Sequence, residues 1–170
     1  MQRNWTPSDR DGASRSNRNW NYDRHSSPSS REGHFHSRTA SKLSNIAEQV
    51  SQEMRTVGWC ATGVRKALQR IGINLPGFDA KDAPRVLMAS GKFDLIPVRQ
   101  LGDLKDGDVL FRPASPWRRD RLAKYGDVAI AKRDQQGFMG YKDHANRIRF
   151  DDPRYDNSKA VVLRLKSTYA

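Results

Sequence analysis

Cysteine is almost missing from this chain: Cys60 is the only one in 170 residues. No internal disulfide can therefore staple the fold, and the redox compartment stays open, with a lean to a cytosolic or delivered protein. Long apolar runs are missing as well. No stretch has the length needed to span a bilayer, and residues 1–40 hold no apolar core of the kind a secretory signal carries, so neither a membrane span nor a standard export signal is expected. Histidine is scarce too. Of the four, His25, His34 and His36 lie in the first forty residues and only His144 lies beyond them. Nothing in this spacing calls for a metal or a cofactor.

The first forty residues also lack Leu, Ile and Val altogether. Ser, Asn, Arg, Gly and His dominate, with isolated Trp5, Trp20 and Tyr22. Such a segment cannot bury enough apolar surface to offset its ordering entropy, so residues 1–40 are expected to be a disordered basic tail. The formal net charge is +12. Seven arginines stand against four acidic residues in the tail, so most of the excess lies on residues 41–170. That balance favours anionic partners: nucleic acid, acidic lipid surfaces or cell-wall polymers. Arginine interleaved with aromatics can hold single-stranded nucleic acid, although a solvated tail fits the mixed charges better.

From Ser41 the pattern changes. Leu43, Ile46, Ala47, Val50, Met54 and Val57 trace one face of a helix, with Thr39 and Ser41 as cap-type residues before it. Val64, Ala67, Leu68 and Ile71 trace a second, ended by Gly72, Pro76 and Gly77. Asp79 is a candidate N-cap for a third carrying Ala83, Val86 and Leu87. Strand signals follow at 93–98, 108–112, 126–131, 138–144, 147–150 and 160–165, with turn residues between them. Helices first and strands afterwards indicate an α+β domain over residues 41–170, its helices packed on one side of an antiparallel sheet.

Cys60 falls at the start of the second helix. A helix N-terminus presents unpaired N–H groups and partial positive charge, which favour a thiolate, the form a nucleophile needs. A lone cysteine is also a common small buried apolar residue. The position alone leaves both open.

Three motifs in order carry a resemblance. They are Trp59-Cys60-Ala61-Thr62-Gly63-Val64 with Gly72-Ile73-Asn74-Leu75-Pro76, then Leu104-Lys105-Asp106-Gly107-Asp108-Val109, then Tyr125-Gly126-Asp127-Val128-Ala129-Ile130. Together they resemble the papain-like cell-wall hydrolases, the NlpC-type and CHAP-type amidases and endopeptidases, over residues 58 to about 150. The resemblance implies a papain-like fold, a cysteine nucleophile at Cys60, and amide bonds of peptidoglycan stem peptides as substrate. It implies no cofactor. Trp59, Tyr125 and Trp117 are the aromatic side chains expected to meet substrate. The absence of a signal would suit a phage lysin-like protein or a delivered effector, which could have an inhibitor or immunity protein as partner.

The sequence departs from the family at one place. The family writes Gly-His-Val-Ala-Ile in the third motif, and its histidine is the general base. Here the residue is Asp127. His144 stands seventeen positions on, where the resemblance places the residue that orients the base. Three readings fit: Asp127 and His144 have exchanged roles, with His144 as base; the domain keeps the fold as a silent wall- or protein-binding module; or the aspartate is an introduced inactivating change. A nucleic-acid-associated basic protein is a further alternative. Plainer readings stand beside these: His144 as a surface-turn residue, Asp127 as a strand cap or a partner of Lys124 or Arg147, and Arg118, Arg119, Arg121 and Lys124 as a solvated loop, or else as a rim that attracts stem-peptide carboxylates.

Overall fold

A computed structural model describes residues 30–121 and 123–169, with side chains from Arg38 onward. The elements run α1 (Ser30–Met54), α2 (Cys60–Arg70), α3 (Ala83–Ala89), β1 (Phe93–Pro97), β2 (Val109–Arg112), β3 (Asp127–Asp134), β4 (Gly137–Tyr141), β5 (Ala145–Arg147) and β6 (Val161–Leu165). The six strands form one sheet in the order β1-β6-β2-β3-β4-β5, and every neighbouring pair is antiparallel. This is the α+β architecture expected, with the helices grouped ahead of the sheet.

α1 begins at Ser30, eleven residues before the Ser41 start expected from the apolar stripe. Once a helix is nucleated, each added residue costs little, so it can run back past its last core contact. Residues 1–29, with His25 and the aromatics Trp5, Trp20 and Tyr22, lie outside the described residues, as do the side chains of His34 and His36. Among the described residues no helix is long and apolar enough to cross a membrane, and no cluster of three or more His, Cys, Asp or Glu could hold a metal.

The sheet is covered on both faces. Leu43, Ala47 and Val50 of α1 and Val64, Ala67 and Leu68 of α2 pack with Val109, Val128, Ile130 and Leu163 on one face. On the other, Leu110, Ala131 and Val162 pack with Val98, Leu104, Phe138, Ile148 and Ala160. The period-2 alternation of side chains assigns adjacent residues of β2, β3 and β6 to opposite cores. β3 is buried from Asp127 to Ala131, which is why it reads as a continuous apolar run rather than an alternating one. Each fully buried Leu or Ile stabilises the fold by about 1.5–3 kcal/mol.

α2 is stopped by Gly72 in the left-handed region at φ 87°, where the N–H of Ile73 reaches back to the Leu68 carbonyl at 3.0 Å. At its other end α2 rests directly on backbone. A Cβ on Gly63 would lie 2.3 Å from the carbonyl carbon of Lys142 and 2.4 Å from the amide nitrogen of Asp143. Only glycine permits this approach, and it sets Cys60 against the turn that follows β4. Gly63→Ala is therefore expected to destabilise the protein by roughly 3 kcal/mol, since two backbones must separate. A melting temperature unchanged within a degree would show that α2 does not sit on this turn.

Candidate active site at the N-terminus of α2

The chain leaves α1 at Met54 and turns through Arg55, a non-glycine residue at φ 47°, to reach Trp59 and Cys60. Asp143 organises this turn. Its Oδ2 accepts the Trp59 N–H at 2.9 Å and the Thr56 hydroxyl at 3.2 Å, and its carbonyl accepts the Thr56 N–H at 3.1 Å. No side chain of α2 itself caps the helix. A carboxylate from across the fold takes that place, as the positive end of the helix dipole favours. The other oxygen of Asp143 meets Nδ1 of His144 at 2.9 Å. Burial works to raise the Asp143 pKa, but the hydrogen bonds from His144 and the Trp59 N–H outweigh it and hold the carboxyl below its usual range.

Asp143 and His144 are not on a strand. β4 ends at Tyr141 and β5 begins at Ala145, so residues 142–144 form the turn between them, closed by the Lys142 N–H on the His144 carbonyl at 3.0 Å. The strand expected over 138–144 stops early because Asp143 turns inward to the end of α2. β5 lies at 145–147, ahead of the 147–150 expected.

Asp127 opens β3 and is buried, with a different pair of partners. Its Oδ2 accepts Nη2 of Arg112 at 3.3 Å, and Lys142 Nζ donates to its Oδ1. Arg112 is 1% exposed, stacks on the Tyr155 ring at 4.1 Å and donates Nη1 to the Arg149 carbonyl. Lys142 is buried as well. Burial alone would raise the Asp127 pKa; the charges of Lys142 and Arg112 reverse that and lower it. Asp127 thus spends both oxygens on cations. The carboxylate that meets His144 is Asp143.

Cys60 is partly exposed at the head of α2. Burial, and then the nearby negative charge of Asp127, push its thiol pKa up, against the Val128 N–H and the ammonium of Lys142, which pull it down. This reverses the low pKa expected from the helix start. Desolvation and a buried carboxylate both act against ionisation here.

A cleft of about 310 Å³ opens at this point. Cys60, Asp127 and His144 all line it, as do Trp59 and Tyr125; Trp117 does not, and is 81% exposed. Sequence reasoning missed Arg112, Lys142, Asp143, Asn146, Arg154 and Tyr155. A usable signal was the charged pair Lys142-Asp143 directly before the lone histidine, at the end of an apolar strand, where burial would demand partners for both.

Two outcomes follow from this electrostatic arrangement. Alkylation of Cys60 in the folded protein should titrate with an apparent pKa above the free-thiol value of about 8.5, and Asp127→Asn should lower it by removing the adjacent negative charge; a wild-type value below 7 would contradict the arrangement. The same substitution should cost roughly 3 kcal/mol at pH 7, because Arg112 and Lys142 lose a buried counter-charge. The folded pKa of Asp127 is lowered from 3.8. Its stabilisation is therefore complete above that value and lost as pH falls through the lower folded value, so the gap between wild type and variant should close only at acid pH. A gap in urea stability that instead narrowed toward pH 8 would exclude the ion pairs as its cause.

No family model matches the chain, and no curated protein matches it in sequence. Among solved structures, a chain of the type VI native effector–immunity complex Tae3–Tai3 from Ralstonia pickettii has a similar fold, with a TM-score of 0.51 and 22% identity, over 75% of this chain and 98% of that chain.

Proposed function

We propose that the protein is a delivered effector or lysin-like protein of the papain-like type, with Cys60 as nucleophile against amide bonds of peptidoglycan stem peptides. The observation that carries this reading is the Asp143 bridge, which binds the residue before Cys60 with one oxygen and the His144 ring with the other. His144 then has a carboxylate at Nδ1 and an Nε2 available as general base, in the cleft that Cys60 lines. A thiol that is neutral at rest loses its proton to His144 as sulfur attacks the amide carbonyl. A C–S bond forms, the C–N bond breaks, and the proton passes from His144 to the departing amine. Water then hydrolyses the thioester with His144 again as base. The first-turn N–H groups of α2, which have no intrahelical acceptor, stand beside the carbonyl oxygen as charge develops on it. The effector–immunity complex of similar fold is the ground for proposing an immunity protein as partner.

A second reading has its own support. The raised thiol, and an aspartate neutralised by two cations where the family keeps its base, suit a cleft that binds wall peptide without cutting it. The test is incubation of the full chain with purified wall sacculi, with soluble products read by mass spectrometry. The hydrolase should release muropeptide fragments, Cys60→Ala should release none, and His144→Ala should be slowed on the order of 10²–10⁴-fold. Binding to sacculi with no product from the unsubstituted protein would select the binding module.

A further inference from the structure

Arg118, Arg154 and Tyr155 also line the cleft, and the chemistry proposed at Cys60 does not use them. Arg118 lies in the 113–124 segment, but its side chain is only 13% exposed, unlike the exposed Arg119 and Arg121 beside it. Its guanidinium stands 5.7 Å from the Tyr155 ring centre and that of Arg154 stands at 5.4 Å, so one tyrosine gathers both. Asp120 takes Nε of Arg118, and Asp152 takes Nε and Nη2 of Arg154. Arg118 also hydrogen-bonds the Tyr155 side chain. These partners fix each guanidinium in place, and a guanidinium carries five N–H donors, more than they use.

Two carboxylates line the same cleft, Asp79 and Asp127, and Asp127 is engaged by Arg112 and Lys142. Asn146 lines it as well, but its Oδ1, which meets no donor among the described residues, is closed off from solvent.

We infer that Arg118 and Arg154, which both line the cleft, form a carboxylate subsite, so that the cleft selects a peptide carrying a free carboxylate within a residue or two of the amide presented to Cys60. This deepens the peptide-amide reading above and rests on it for the identity of the ligand as a peptide. It does not depend on hydrolysis.

The test uses the full chain with Cys60→Ala, so that binding is read without turnover. Two synthetic tetrapeptides of wall-stem type are titrated by calorimetry, identical except that one ends in a carboxylate and the other in a carboxamide. The carboxylate peptide should bind about tenfold more tightly, a preference that weakens as salt is raised. Arg118→Gln should abolish the preference, and Arg119→Gln should preserve it. Arg154→Gln gives an independent check should Arg118→Gln fail to fold, and should reduce the preference at least about threefold. Equal binding of the two peptides, no binding of either, or an unchanged preference in a folded Arg118→Gln or Arg154→Gln protein would each overturn the subsite. Equal binding alongside product release from sacculi by the unsubstituted protein would leave the hydrolase reading standing.

Discussion

One carboxylate holds the site together. Asp143 has almost no exposure, and all three of its oxygens are used: one carboxylate oxygen on the α1–α2 turn, the other on the His144 ring, the backbone carbonyl on Thr56. It reaches those groups only because Gly63 lets α2 lie against the backbone of residues 142 and 143. Helix, turn and imidazole are therefore placed by a single contact between the first part of the chain and the sheet. Further along the same helix–sheet seam, Glu48 of α1 meets Lys132 and the Tyr141 hydroxyl, which keeps α1 in register with β3 and β4. The cleft is where this seam opens to solvent.

Beneath the cleft the chain buries three charges in contact. Removing an ion from water costs several kcal/mol, and the cost is met only when each charge finds partners of good geometry. Here Asp127 finds two, and Arg112 also uses a carbonyl and an aromatic face. These residues come from β2, β3 and the turn after β4, so the triad ties three adjacent segments of the sheet together. It also means that exchanging residue 127 alone is costly. An imidazole in its place would leave Lys142 and Arg112 buried without a counter-charge, and a matching change at 142 would relieve part of that cost.

Much of the fold was legible in the sequence. The helical stripes over 43–54 and 64–71, the strands at 93–98, 108–112, 126–131 and 160–165, and the grouping of helices before sheet all follow from periodicity and turn residues, whereas Val57, expected on the first stripe, lies beyond the end of α1 and is exposed. The motifs also brought Cys60, Asp127 and His144 to one cleft, along with Trp59 and Tyr125. What escaped was everything decided by partners distant in sequence. Asp143 reads as a surface-turn residue until Trp59, 84 positions away, supplies its hydrogen bond. Trp117 reads as an aromatic near the site, yet nothing in its local sequence says that it points away. The thiol is the sharpest case. Its local setting, a helix start, lowers the pKa, while burial and Asp127 raise it, and neither of those can be read from neighbouring residues.

The protonation of that thiol constrains any chemistry at the site. A thiolate–imidazolium pair formed in advance would need Cys60 to ionise easily, but the net field at sulfur opposes it. Asp127 cannot take the proton, because two cations hold its own pKa down. Lys142 is engaged with that same carboxylate. Of the side chains lining the cleft, His144 alone is an imidazole, and its Nδ1 meets a carboxylate that orients the ring. On the hydrolase reading proposed above, proton transfer accompanies sulfur attack rather than preceding it. On that reading substrate has a second task besides presenting a carbonyl: by excluding water and bringing the amide to the head of α2, it creates the site for negative charge that the burial and the Asp127 charge at Cys60 disfavour.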